Sequence, residues 1–191
     1  MTFDRSTWRT PTGIVDAVHE AFGPAGFDLD PATSPDNPTR ARRFYAPGGV
    51  ARATVENGGV CLGDDALAGS WPGMSLFLNP PWRAGMSVAP WTDRAMQWLY
   101  HDARRAMVLL LPATLNAAWF HRVIDPPRPH DGTFAKVFAF RGRVAFIRPD
   151  TGDTGDARTR GDVVLVVLGR AVNRGDLRDS LFDNGFPGQW L

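Results

Sequence analysis

Apolar positions along the chain follow two rhythms, one helical and one extended. After Thr10-Pro11, which offers a cap and a proline at the first helical position, Ile14, Val15, Val18, Ala21 and Phe22 recur at helical spacing. Gly23-Pro24 stops that helix. Phe27–Asp30 reads as a short strand ended by Pro31. Residues 31–59, rich in Pro, Gly, Asn and Arg, show no period and predict a long irregular connection, with a weak strand near Ala53–Val55. Met74–Leu78 is a strand, and residues 89–104 form a helix with Trp91, Ala95, Trp98 and Leu99 on one face. Ala106–Leu111 is a continuous apolar run of the kind buried on both faces.

Asn116–Asp125 predicts a helix with Trp119, Phe120, Val123 and Ile124 inward, closed by Pro126-Pro127. Two strand-like runs, 136–140 and 143–147, flank Arg141-Gly142 and suggest a hairpin. A polar loop at 148–161 precedes a last buried strand, Val163–Leu168, and the tail from 171 is patterned too weakly to predict more than partial order. Strand–helix alternation predicts an α/β fold, a mostly parallel sheet covered by helices. Ligands of such sheets sit at the carboxyl ends of strands. The unusual residues are there: Asp30-Pro31, Asn79-Pro80-Pro81-Trp82 and Pro112-Ala113-Thr114.

The length of 191 residues suits one domain, with a core over about 8–170 and no separate target-recognition domain. A net charge of +1 lacks the global basic signature of a nucleic-acid binder, although Lys136 is the only lysine and arginine supplies the other cations. The one cysteine, Cys61, excludes an internal disulfide and a cysteine-cluster metal site, and no metal is expected. No apolar run reaches membrane-spanning length and the N-terminus lacks a signal-peptide core, so a cytoplasmic location is expected. Seven tryptophans and twelve phenylalanines against two tyrosines weight the aromatic set toward large apolar rings, for the core or for stacking.

Asn79-Pro80-Pro81-Trp82 carries a specific chemistry. The lone pair of a planar exocyclic amine is delocalised into its ring, which makes the amine a poor nucleophile. An asparagine carbonyl and a backbone carbonyl, accepting from its two N–H bonds, draw the nitrogen toward tetrahedral geometry and free that pair to attack a methyl sulfonium. Proline fixes the backbone that aims the second carbonyl. A neighbouring ring can stack on a base turned out of its duplex. The same string also suits a plain strand end with a proline turn and a core tryptophan.

Asn79–Trp82 resembles the (D/N/S)-PP-(Y/F/W) motif of amino-group methyltransferases that use S-adenosylmethionine. Further marks occur in order: Trp8-Arg9-Thr10-Pro11, Phe27–Ala32, Asp65–Trp71, Leu110–His121 and Gly142–Phe146. The ordered set, over roughly 8–168, is similar to phage and prophage DNA N6-adenine methyltransferases of the Dam type. That resemblance implies a compact class I, Rossmann-like fold, S-adenosylmethionine as cofactor, and DNA as partner, with an adenine flipped out of the duplex. It implies catalytic roles for Asn79, Pro80, Pro81 and Trp82. It implies cofactor contacts from Trp8, Thr10, Pro11, Asp30, Pro31, Ala32, Asp65 and Asn79. Thr10-Pro11 would touch the methionine part and Asp30 its ammonium, with a helix N-terminus for its carboxylate. Asp65, rather than the adjacent Asp64, would read the cofactor adenine.

The chain departs from the pattern in three places. No G-x-G follows Asp30, so Thr33–Pro38 must wrap the cofactor without glycine's close backbone approach. No acid is evident for the ribose hydroxyls, Glu56 being a poor candidate, and tryptophan replaces the commoner tyrosine at 82. His121 lies near nucleic acid or on the outer edge of its helix, and Arg141 and Arg143 are candidates for phosphate. Two other readings stand beside adenine methylation. The same fold serves other amine acceptors, such as an RNA base or a protein glutamine, and a nucleic-acid-binding module that has lost catalysis would keep much of the pattern.

Overall fold

Successive residues of the apolar strands go to opposite faces of one sheet, which is why these strands read as unbroken hydrophobic runs. Phe77, Val108, Leu110, Leu165 and Val167 pack on one side with Ile14, Val18, Leu177 and Leu181. Leu76, Leu78, Leu109, Leu111, Val164 and Val166 pack on the other with Ala95, Leu99, Phe120 and Val123. Each fully buried Leu or Phe contributes about 1.5–3 kcal/mol, so neither face is dispensable. The computed structural model describes residues 8–49, 55, 57–81, 87–125, 134–149, 151–152, 154 and 162–191.

The elements run α1 (Thr12–Ala21), β1 (Leu29–Asp30), β2 (Arg43–Tyr45), β3 (Val60–Gly63), β4 (Ser75–Leu78), α2 (Ala89–Tyr100), β5 (Ala106–Pro112) and α3 (Ala118–Ile124). They continue with β6 (Lys136–Phe140), β7 (Val163–Leu168), α4 (Arg174–Asp183) and β8 (Gly188–Trp190). The sheet order is β3-β2-β1-β4-β5-β7-β6-β8. From β3 to β5 every pairing is parallel, and β7, β6 and β8 add antiparallel strands. This is the mostly parallel, Rossmann-like α/β arrangement that the alternation of strands and helices predicts. Strand order reverses between β1 and β4, where Leu29 pairs with Leu76. A doubly wound sheet opens its ligand crevice at such a point.

Helices α1 and α4 lie together on one face. Gly13 permits the contact, since a Cβ there would stand 2.8 Å from Asn184 Cβ. On the other face Trp98 Nε1 donates to the Trp71 carbonyl and Trp71 Nε1 to that of Ala66, pinning the segment after β3 to α2.

The structure corrects several sequence expectations. Strand β1 covers only Leu29–Asp30, and the stretch from 31 to 59 contains a strand, β2, that its turn-rich composition hides. The expected strand near Ala53–Val55 falls mostly outside the described residues, and Val55 itself is not in a strand. The runs 136–140 and 143–147 do not form a hairpin. Lys136–Phe140 pairs with β7 and β8, whereas Ile147 makes a bridge to Arg9 at the other end of the chain. The tail is ordered: Asn173 caps α4 by accepting from Gly175 and Asp176 N–H groups, and β8 completes the sheet edge. The hydrophobic pattern of α4 is weak because only Leu177, Ser180 and Leu181 face inward.

Candidate active site

The carboxyl ends of β1 and β4 flank the crevice, and the expected residues occupy both. Asp30 ends β1 with 1% of its surface exposed. Its Oδ1 accepts from Ala32 N–H at 2.9 Å and its Oδ2 from the Thr39 hydroxyl at 2.7 Å. Burial pushes its carboxyl up from 3.8 to about 6, against the opposing hydrogen bonds of Ala32, Thr39 and Thr33. A carboxylate offers about four lone-pair sites. Those three bonds leave room for one further donor.

The loop after β1 compensates for the missing glycine pattern with Asn37. This residue is 0% exposed and adopts a left-handed backbone conformation at φ 50°, which asparagine tolerates better than most residues. Its Nδ2 donates to the carbonyls of Ala41 (2.9 Å) and Gly58 (2.7 Å), while its Oδ1 accepts from Ala41 N–H at 3.2 Å. Gly59 makes the close approach possible, because a Cβ there would lie 2.1 Å from the Ala41 carbonyl oxygen. His19 completes the support with Nε2 2.8 Å from the Thr39 carbonyl oxygen, to which that ring nitrogen donates. Burial holds His19 below its usual range, the Thr39 bond opposing. Sequence reasoning placed Asn37 only within the loop Thr33–Pro38 expected to wrap the cofactor, and it missed Thr39 and His19. The available signal was a non-glycine turn residue, Asn37-Pro38, inside an aperiodic stretch.

Asn79 follows β4 directly, half-buried, with Pro80 buried and Pro81 half-buried beyond it. Its Nδ2 donates to the Thr10 hydroxyl oxygen at 3.0 Å, joining residues 69 apart in the chain. This contact overturns the expectation that Thr10 caps α1. The N-cap position is Pro11, α1 has no side-chain cap, and the Pro11 carbonyl accepts from Ile14 and Val15. Thr10 is 7% exposed, and Trp8 packs against the core cluster under α1. Trp82 and Glu56 lie outside the described residues.

Arg9 ties the first segment to the crevice. Its backbone pairs in both directions with Ile147 (2.8 and 3.0 Å), and its guanidinium meets Asp36 at 2.7 Å. Asp65 stands after β3, two strands from β1. Its Oδ1 caps its own turn by accepting from Leu67 and Ala68 N–H at 3.0 and 3.1 Å. Asp64 and Asp65 are both exposed, so burial does not separate them. The segment after Asp65 is held by the Tyr45 hydroxyl, which donates to the Ser70 carbonyl, and by Arg94, which donates to that of Gly69. After β2 comes Ala46-Pro47-Gly48-Gly49, a stretch without an acidic residue. His121 and Arg141 and Arg143 are exposed.

A curated relative, the DNA N-6-adenine-methyltransferase of Escherichia phage T1, is 25% identical over 92% of this chain and 67% of its own length. Among solved structures, a dimethyladenosine transferase from Plasmodium falciparum is similar at 15% identity and a TM-score of 0.44, covering 92% of this chain and 66% of that one. The chain thus spans about two thirds of the length of each. The family model described as DNA N-6-adenine-methyltransferase (Dam) matches residues 2–176. A family match over that span shows that the chain belongs to the Dam family of DNA N6-adenine methyltransferases.

Proposed function

We propose that the chain methylates N6 of an adenine flipped out of duplex DNA, with S-adenosylmethionine as donor and Asn79, Pro80, Pro81 and Trp82 as the catalytic strand end. The observation that carries this reading is the Asn79–Thr10 bond across the switch point. It joins the first mark of the ordered set, at Thr10-Pro11, to the strand-end motif that begins at Asn79.

The residues present fit the cofactor's charges. Asp30 is a buried carboxylate with room for one more donor, and a bound ammonium would relieve the burial that raises its pKa. The N-terminus of α1 has no side-chain cap, so its first N–H groups are suited to a carboxylate. Trp8, Thr10, Pro11, Pro31 and Ala32 would shape the methionine end of this site. The cofactor, when bound, supplies an electrophilic methyl group. The chain's own part is to accept hydrogen bonds from the adenine amine at Asn79 Oδ1 and the Pro80 carbonyl, which localises the nitrogen lone pair. Trp82 would stack on the extruded base.

Incubation with labelled S-adenosylmethionine and unmethylated DNA, followed by digestion, should yield N6-methyladenosine as its deoxynucleoside. Label in another nucleoside, or none with the protein folded, refutes the proposal.

Asp65 is the proposed reader of the cofactor adenine through the carboxylate oxygen that does not cap its turn. Calorimetry should show Asp65→Ala weakening cofactor binding by about 1–3 kcal/mol, with Asp64→Ala close to the parent. Asp65→Asn separates recognition from structure, because it keeps a capping oxygen but opposes a donor to the adenine amine. If Asp65→Asn binds as the parent does, the carboxylate serves only the turn.

A further inference from the structure

Thr10 spends its hydroxyl on Asn79 rather than on the helix it precedes, and its surroundings hold it still. The Arg9–Ile147 backbone pair fixes it on one side, and on the other the Pro11 carbonyl accepts the first helical bonds of α1. An asparagine amide is nearly symmetric in shape but not in chemistry. With Nδ2 toward Thr10, the carbonyl oxygen lies on the opposite side of the amide. Turned over, the group would aim two N–H bonds at a substrate amine, donor against donor.

A threonine hydroxyl can also donate, so it selects the productive orientation only when its own hydrogen is taken elsewhere. The uncapped start of α1 immediately follows Thr10. A carboxylate held there is an acceptor suited to that hydrogen. We infer that Thr10 is a positioning residue that couples cofactor occupancy to Asn79. With its O–H engaged by the cofactor carboxylate, its oxygen can only accept, and the Asn79 amide is locked with its carbonyl toward the adenine amine. This rests on the function proposed above, and it adds that the catalytic amide is set by the cofactor rather than by the fold alone.

The test compares Thr10→Val and Thr10→Ser in the parent and in Asn79→Asp. Aspartate presents equivalent oxygens, so it has no orientation to select. At saturating S-adenosylmethionine, Thr10→Val should slow single-turnover methylation roughly threefold to tenfold, the rate equivalent of one hydrogen bond. Thr10→Ser should restore most of it. In the Asn79→Asp background Thr10→Val should change the rate little. Equal slowing in both backgrounds, or none in the parent, overturns the inference.

A second readout needs no turnover. The Asn79 side-chain amide resonance in nitrogen-15 spectra, assigned by its loss in Asn79→Asp, should shift when S-adenosylhomocysteine is added to the parent and shift much less in Thr10→Val. An amide unmoved by cofactor in the parent also overturns it, even if Asn79→Asp is inactive. A parent chain that binds no cofactor and methylates no DNA fails earlier, and what fails then is the proposed function itself.

Discussion

Asn79→Ala is expected to lower single-turnover methylation by about 10²–10³, the usual cost of removing a preorganised hydrogen-bonding group at a reacting centre. In the proposed mechanism Asn79 accepts from the amine only as the nitrogen changes geometry, so its loss should act on the chemical step. Cofactor affinity should stay near that of the parent. The fold should survive, because Asn79 is half-buried and its contact with Thr10 is one hydrogen bond, worth about 1 kcal/mol. Single-turnover kinetics beside a thermal melt separate the two effects. Full turnover in a folded Asn79→Ala would mean that the strand end is only a turn.

Asp30→Asn should move stability and binding in opposite directions. The Asp30 carboxyl is raised from 3.8 to about 6 chiefly by burial. Protonation therefore favours the folded state, and the stability it confers is complete below 3.8 and lost as pH rises through about 6. Over that interval the loss is about 3 kcal/mol. Asparagine carries no charge to desolvate and can keep an acceptor toward Ala32 N–H, with its amine toward the Thr39 hydroxyl. The variant should match the parent near pH 4 and exceed it at pH 7, the gap opening between those values. Cofactor binding should weaken at pH 7, where the missing charge matters. Denaturant melts at pH 4, 5, 6 and 7 with calorimetry read both effects. A deficit that grows between pH 4 and pH 7 would show that the hydrogen bonds to the charged carboxylate outweigh its desolvation.

What the sequence determined by itself was local or periodic. Helix α1, strands β4, β5 and β7, and helices α2 and α3 are legible because burial on one face or both imposes a rhythm of hydrophobic residues. The strand-end positions of Asp30 and Asn79 follow from those elements, since a polar residue after an apolar run marks where a strand leaves the core. The tertiary structure decided the rest. Strands β2 and β8 are three residues each, too short for a period, and only their neighbours in the sheet make them strands. Ile147 resembles a hairpin residue by pattern, yet it pairs with Arg9, because backbone hydrogen bonds carry no label in the side-chain sequence. Thr10 looks like a helix cap in one dimension. Folding brings Asn79 to within 3.0 Å of it, and a hydroxyl takes the partner that three dimensions supply.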